Sequence, residues 1–210
     1  DAINHIETYG HNPNYISDAD LKKSKLCLSS NINTIVENSD YLVLAVPSVF
    51  LKSTLSSVNV SLKEKIIVSA IKGIVPENNT IVGEFIHNQY DVPYKNIGVV
   101  TGPCHAEEVA LERLSYLTVA CGDVQKAEFF ANSISGRYIK TTVSDDIYGT
   151  EYAAVLKNVI ALASGICHGL GYGDNFQAVL VSNAIREIKR FVDEVHPIDR
   201  DIKESAYLGD

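Results

Sequence analysis

Lys157 is the only Lys, Arg, Asp or Glu from Tyr152 through Gly173, the most apolar stretch of the 210-residue chain. Helical spacing puts Ala153, Ala154 and Ala161 beside it, at i−4, i−3 and i+4. Small neighbours let another element approach the ammonium closely. Desolvation weakens an ammonium's hold on its proton, which suits proton transfer near neutral pH. Asn158, the next residue, can orient a substrate hydroxyl. A lysine snorkelling from the rim of a buried helix meets the same description, so both roles stay open for Lys157.

Three apolar runs end in segments that could receive an anion. Tyr41-Leu42-Val43-Leu44-Ala45-Val46 runs into Pro47-Ser48-Val49-Phe50, Lys65-Ile66-Ile67-Val68-Ser69-Ala70 into Ile71-Lys72-Gly73, and Ile97-Gly98-Val99-Val100 into Thr101-Gly102-Pro103-Cys104-His105-Ala106. In an open α/β sheet, ligands sit beyond the carboxyl ends of the strands. Lys72 and the glycine turns fit that role; turn chemistry and a solubilising lysine are the plainer reading. Gly169-Leu170-Gly171-Tyr172-Gly173-Asp174-Asn175 offers a phosphate cradle as its sharper reading and a structural hairpin between helices as its favoured one, with Asp174 or Asn175 capping the second helix. Cys104-His105 and Cys167-His168 do not make a nucleophile–base pair, because sequence neighbours rarely point at each other.

The elements that must position these residues alternate in type. The polar first 25 residues read as a loop with one short helix at its start. Strands are expected at 25–28, 41–46, 65–70, 97–100, 115–120 and 137–142. Helices are expected at 31–38 (capped by Ser30 or Asn31), 48–58, 80–90, 105–111 and 124–133. Val49, Leu51, Leu55 and Val58 are the expected anchors of the second helix, and Ile81, Phe85 and Ile86 those of the third. The unbroken apolar run 41–46 suits a strand covered on both faces. Such alternation predicts a mostly parallel, doubly wound sheet. Beyond about residue 144 only helical periodicity remains, over 148–163, 174–195 and 199–206.

Composition supports a folded domain: 46% hydrophobic and 21% charged residues are ordinary values for a globular chain. With 18 basic against 26 acidic residues the net charge is −8, which argues against a general nucleic-acid binder. The four cysteines, Cys27, Cys104, Cys121 and Cys167, lack metal-ligand or disulfide spacing and read as reduced and mostly buried in a cytosolic protein. No segment is expected to insert in a membrane. The chain begins with Asp1 and contains no methionine, so either trimmed ends or missing modified residues are expected.

Taken in order, Val46-Pro47-Ser48-Val49-Phe50, Ile71-Lys72-Gly73, Gly102-Pro103-Cys104-His105-Ala106, Leu156-Lys157-Asn158-Val159 and Gly169-Leu170-Gly171-Tyr172-Gly173-Asp174-Asn175 resemble the NAD(P)-dependent glycerol-3-phosphate dehydrogenase family over residues 38–210. The resemblance implies an oxidoreductase that interconverts dihydroxyacetone phosphate and sn-glycerol 3-phosphate with NAD or NADP, supplying glycerol phosphate for phospholipid synthesis in the cytoplasm, as a possible homodimer. It implies that Lys157 is the general acid. Lys72, Gly102, Cys104, Lys157, Asn158 and Asp210 fall at substrate-binding positions, and Phe50, Lys72 and Ala106 at cofactor-binding positions. Cys104 stands where the family carries a hydroxyl or amide, which leaves a backbone contact there.

The implied fold is a Rossmann-like doubly wound sheet, incomplete in its first strands, followed by an all-helical domain. Residues 1–144 would form part of the dinucleotide-binding domain and 145–210 part of the helical substrate domain. No G-x-G-x-x-G motif occurs in the chain. The family's first strand carries that motif, so a gap in the sheet, or contacts from another chain, is expected where the first strands belong. The alternatives are a related two-domain hydroxy-acid dehydrogenase and a non-catalytic fragment.

Overall fold

The structure, a computed structural model, describes residues 2–17, 19–21, 25–200 and 207. The chain runs through α1 (Ala2–Tyr9), α2 (Ile32–Glu37), β1 (Tyr41–Leu44), α3 (Ser48–Leu55), β2 (Ile66–Ser69), β3 (Ile74–Val75) and β4 (Thr80–Ile81). It continues with α4 (Val82–Tyr90), β5 (Ile97–Thr101), α5 (Ala106–Ala110), β6 (Ser115–Cys121), α6 (Val124–Ile134) and β7 (Ile139–Ser144), then α7 (Ile147–Gly169) and α8 (Asp174–Val195).

Five strands form one sheet in the order β1-β2-β5-β6-β7. Strands β1, β2 and β5 run parallel, with Tyr41 opposite Ile66 and Ile67 opposite Ile97. Strands β6 and β7 are parallel to each other, but β5 meets β6 antiparallel, with Val99 opposite Ala120. The reversal follows from the connection. A parallel neighbour needs a crossover as long as the strand. The five residues of α5 cover only about 7.5 Å at 1.5 Å per residue. The chain instead turns straight back, and the Tyr116 amide donates to the Pro103 carbonyl at 3.2 Å.

Alternation along β2 divides the core. Ile67 packs with Leu51 and Leu55 of α3 and Phe85 and Ile86 of α4 on one face. Val68 packs with Val119 and with Ala127 and Phe130 of α6 on the other. Helices thus cover both faces, as the doubly wound pattern requires. Asn31 caps α2 by accepting from the Asn33 amide, and Ile81, Phe85 and Ile86 are buried as expected.

Several local expectations fail. Residues 25–28 form no strand. Val43 in β1 is 49% exposed, so that strand is not covered on both faces. Val49 is exposed at the start of α3, because Leu51 and Leu55 already define that helix's inner face. Gly173, not Asp174 or Asn175, is the cap residue of α8 and makes no side-chain bond; Asp174 sits inside the first turn, where its charge favours the helix dipole. Only Cys121 is buried, while Cys27 is exposed and Cys104 and Cys167 are intermediate. The antiparallel β3–β4 hairpin, with Ile74 opposite Ile81, has strands too short to show a period. The helix expected at 199–206 falls largely outside the described residues.

After β7 the described chain is helical. Asp146 caps α7 by accepting from the Gly149 amide at 2.8 Å. The same carboxylate accepts from Arg200 Nε at 2.8 Å and from the Tyr207 hydroxyl. Arg200 also donates to Asp193 and to the His196 carbonyl, so one buried guanidinium fastens the start of α7 to the end of α8. Ala153, Ile188, Val192 and Tyr207 fill the space between the two helices. Among the described residues, no helix is long and apolar enough to cross a membrane.

Candidate functional site

Because β1, β2 and β5 are parallel neighbours, their carboxyl ends open on one edge of the sheet. Pro47, three residues past the end of β1, leads α3 and offers no side-chain cap to the amides at that helix start. Phe50, in the first turn of α3, is 58% exposed. The loop after β2 touches this turn: a Cβ on Gly73 would lie 2.8 Å from Ser48 Oγ. Lys72, just before it, is exposed.

At the end of β5, Gly102 has φ +138 and a Cβ there would meet the Tyr116 carbonyl oxygen at 2.4 Å. Glycine is required on both counts. The chain then passes half-buried Cys104 and reaches Ala106, exposed at the first position of α5. Gly102→Ala is expected to lower unfolding free energy by about 1–3 kcal/mol from backbone strain, with the carbonyl clash adding to it. Urea titration measures this; a loss under about 0.5 kcal/mol, within the range of neutral surface changes, means the corner relaxes freely.

α7 brings the second half of the site. Its buried face carries Ala153 and Ala154. Lys157 is half-buried and lines a cavity of about 170 Å³ between α7 and α8, together with Ala161, Ser164, Ile188 and Tyr207. Asn158 reaches across to the sheet edge: its Nδ2 donates to the Lys72 backbone carbonyl at 3.4 Å. Lys72 and Asn158, 86 positions apart, are therefore joined. Phe50 follows β1, and Gly102, Cys104 and Ala106 follow β5, at the same carboxyl edge of the sheet, whereas the cavity lined by Lys157 includes none of them. Asp210 lies outside the described residues.

The glycine segment after α7 is a helix stop. Gly171 has φ +83. Its amide donates to the His168 carbonyl at 3.0 Å, and the Tyr172 amide donates to the Cys167 carbonyl at 3.1 Å. These are the two bonds of a Schellman turn. Ser164 Oγ and Gln177 Oε1, 2.7 Å apart, then tie α7 to α8.

Glu151 went unnoticed in the sequence because it stands one residue ahead of the apolar stretch. It is 3% exposed, and its Oε2 accepts from the Gly83 amide at 2.9 Å, with the Val82 amide also bonding to the carboxylate. Burial pushes its carboxyl up to about 8, with Glu84 adding to the rise and the two amides opposing it. The available signal was its spacing: seven residues before Asn158, on the same helix face. Among the described residues, no group of three or more His, Cys, Asp or Glu is placed to hold a metal ion.

The family model described as the NAD-dependent glycerol-3-phosphate dehydrogenase N-terminus matches residues 1–127, and its C-terminus counterpart matches residues 146–210. The match thus extends upstream of Asn38, where the motif resemblance begins. Glycerol-3-phosphate dehydrogenase [NAD(P)+] of Macrococcus caseolyticus is 35% identical over 191 residues, covering 90% of this chain and 57% of that protein. The Exiguobacterium protein of the same name is 36% identical over 192 residues, covering 90% and 55%. The chain therefore spans little more than half the length of these curated relatives. The crystal structure of glycerol-3-phosphate dehydrogenase from Coxiella burnetii superposes with a TM-score of 0.83 at 22% identity, covering 99% of this chain and 63% of its own, a likeness of fold. With both parts of the family model matched along the chain, this protein belongs to the NAD-dependent glycerol-3-phosphate dehydrogenase family.

Proposed function

We propose that the chain supplies the acid–base lysine and the strand-end loops of an enzyme that interconverts dihydroxyacetone phosphate and sn-glycerol 3-phosphate with NAD or NADP. The observation that carries this reading is the Asn158–Lys72 bond, which sets the helix bearing Lys157 against the carboxyl edge of the sheet. The names of the relatives support the choice of substrate. On this reading residues 1–144 belong to the dinucleotide-binding domain and 145–210 to the substrate domain. The setting is cytoplasmic, the assembly a homodimer, and the product glycerol phosphate for phospholipid synthesis.

The loops fit a planar anionic cofactor. Phe50 offers an exposed aromatic face, the uncapped start of α3 offers backbone amides, and Lys72 offers a positive charge. A dihydronicotinamide held by these residues would supply the hydride for C2 of the ketone. Lys157 Nζ holds the proton that the ketone oxygen takes as its negative charge develops, and receives it back in the reverse direction. Asn158 orients the reacting oxygen. Lys72 balances negative charge between cofactor and substrate, Gly102 and the Cys104 backbone approach the substrate, and Ala106 lies beside the cofactor. Asp210 is the further carboxylate assigned to the substrate.

The test is reduction of dihydroxyacetone phosphate by the intact protein, with NADH or NADPH, beside a panel of 2-keto acids. Turnover selective for dihydroxyacetone phosphate supports the proposal. Preferential turnover of a keto acid would place the chain with the hydroxy-acid dehydrogenases. Cofactor binding without turnover of any of them would contradict the assignment.

A further inference from the structure

Residues 72–83 are gripped at both ends by one helix. At the start, Asn158 Nδ2 bonds the Lys72 carbonyl. At the finish, Glu151 accepts from the amides of Val82 and Gly83, which begin α4. Between these points lies only the β3–β4 hairpin, closed by Ile74 opposite Ile81 and Val75 opposite Thr80. Asn158 follows Glu151 by seven residues, so both project from one face of α7, two turns or about 10 Å apart. The spacing of two side chains on a helix thus defines where the Lys72 loop stands.

The finishing grip has no local substitute. Ile81, the cap residue of α4, makes no side-chain hydrogen bond. Free amides at a helix start need an acceptor when buried, and Glu151 supplies it from 68 positions away. A Cβ on Gly83 would lie 2.8 Å from Glu151 Oε2, so glycine is what lets the carboxyl group come this close. Glu84 of α4, Tyr94 from the turn Tyr94–Asn96, and Tyr148 and Tyr152 of α7 surround the same space.

The geometry points to Glu151 as a positioning residue, which fixes the Lys72 loop relative to Lys157 by holding the start of α4 while Asn158 holds the Lys72 carbonyl. The inference rests on the proposed function for the role of Lys72, but the clamp itself can be measured without turnover.

Glu151→Leu removes the acceptor at similar volume. In the intact protein, amide hydrogen exchange over 72–83 is expected to quicken about tenfold or more relative to the sheet strands, the scale of one lost buried hydrogen bond. Exchange unchanged over 72–83 overturns the inference, whatever the protein's substrate. In the active enzyme, Glu151→Leu is expected to raise KM for dihydroxyacetone phosphate about tenfold, as Lys72→Ala does. The double variant should be no worse than Lys72→Ala alone, because both changes act through one loop. Multiplying effects would instead mean that Glu151 acts independently of Lys72 and overturn the inference. Glu151→Gln keeps one acceptor oxygen and is expected to recover most of the KM lost in Glu151→Leu.

Should Glu151→Leu fail to fold, Glu151→Gln carries the test. A released Glu151 ionises readily, whereas the held carboxyl keeps its proton to about pH 8. Opening therefore becomes easier as pH rises from about 4.5 towards 8 and levels off above that. Hairpin protection, corrected for intrinsic exchange, should fall across this window in the wild type and not in Glu151→Gln, both sharing Glu84 and the tyrosines. An equal fall in both proteins, or no fall in either, overturns the clamp.

Discussion

Lys157→Ala is expected to lower kcat for dihydroxyacetone phosphate reduction by about 10²–10⁴-fold, the usual contribution of a general acid. At about 1.4 kcal/mol per tenfold this is roughly 3–5 kcal/mol of transition-state stabilisation. The loss falls on kcat because the proton is needed most as charge develops on the oxygen. The fold should tolerate the change. Lys157 lines the α7–α8 cavity at half-burial instead of filling the core, and alanine favours the helix. Cofactor titration should be nearly unaffected, since the proposed cofactor contacts lie at the strand ends. Lys157→Arg should not rescue, because a guanidinium does not release its proton near neutral pH. Lys72→Ala should also raise KM, because a charge facing a phosphorylated ligand acts before the transition state. Retention of more than about a tenth of wild-type kcat in Lys157→Ala, less than a general acid ordinarily contributes, would make this lysine structural only.

The second large effect concerns stability. Asp146→Ala removes a carboxylate that caps α7 and holds the Arg200 guanidinium. The two side chains are 4% and 2% exposed, so water cannot replace the lost partner. Breaking one side of a buried pair costs about 3–5 kcal/mol, because the remaining charge is stranded. Asp193 and the His196 carbonyl still receive Arg200 donors, which places the expected loss towards the lower end. Asp146→Asn keeps an acceptor for the Gly149 amide and should lose less. Urea unfolding of the two variants decides the matter: a loss below about 1 kcal/mol for Asp146→Ala, no more than an ordinary cap contributes, means that the other acceptors satisfy Arg200.

The pH dependence has a definite sign. Burial opposes ionisation of Asp146, but hydrogen bonds from Arg200, Tyr207 and the Gly149 amide together hold its carboxyl below the ordinary aspartate value. A depressed carboxyl contributes stability above its unfolded pKa of about 3.8, and that contribution is lost as pH falls through the folded value. Glu151, shifted the other way, makes stability fall as pH rises from about 4.5 to 8. The two carboxyls of α7 thus act in different windows, and Asp146→Asn should flatten only the acid limb.

The sequence by itself determined the candidate groups, those whose chemistry is visible locally. Lys157 was legible because charge is rare in an apolar helical stretch, and Lys72 and Gly102 because apolar runs end beside them. The alternation of strands and helices in a doubly wound sheet and the change to long helices after Ser144 were legible, since short apolar runs and a period of 3.6 record which segments and faces are buried. Tertiary structure alone decided the rest. The antiparallel turn from β5 to β6 depends on how far α5 carries the chain. The β3–β4 hairpin depends on two pairs of residues, too few for any pattern. The capping of α4 by Glu151 and the seating of Arg200 on Asp146 join residues 68 and 54 positions apart. No spacing rule marks such partners, because a buried carboxylate takes whichever donors the packed helices bring within reach.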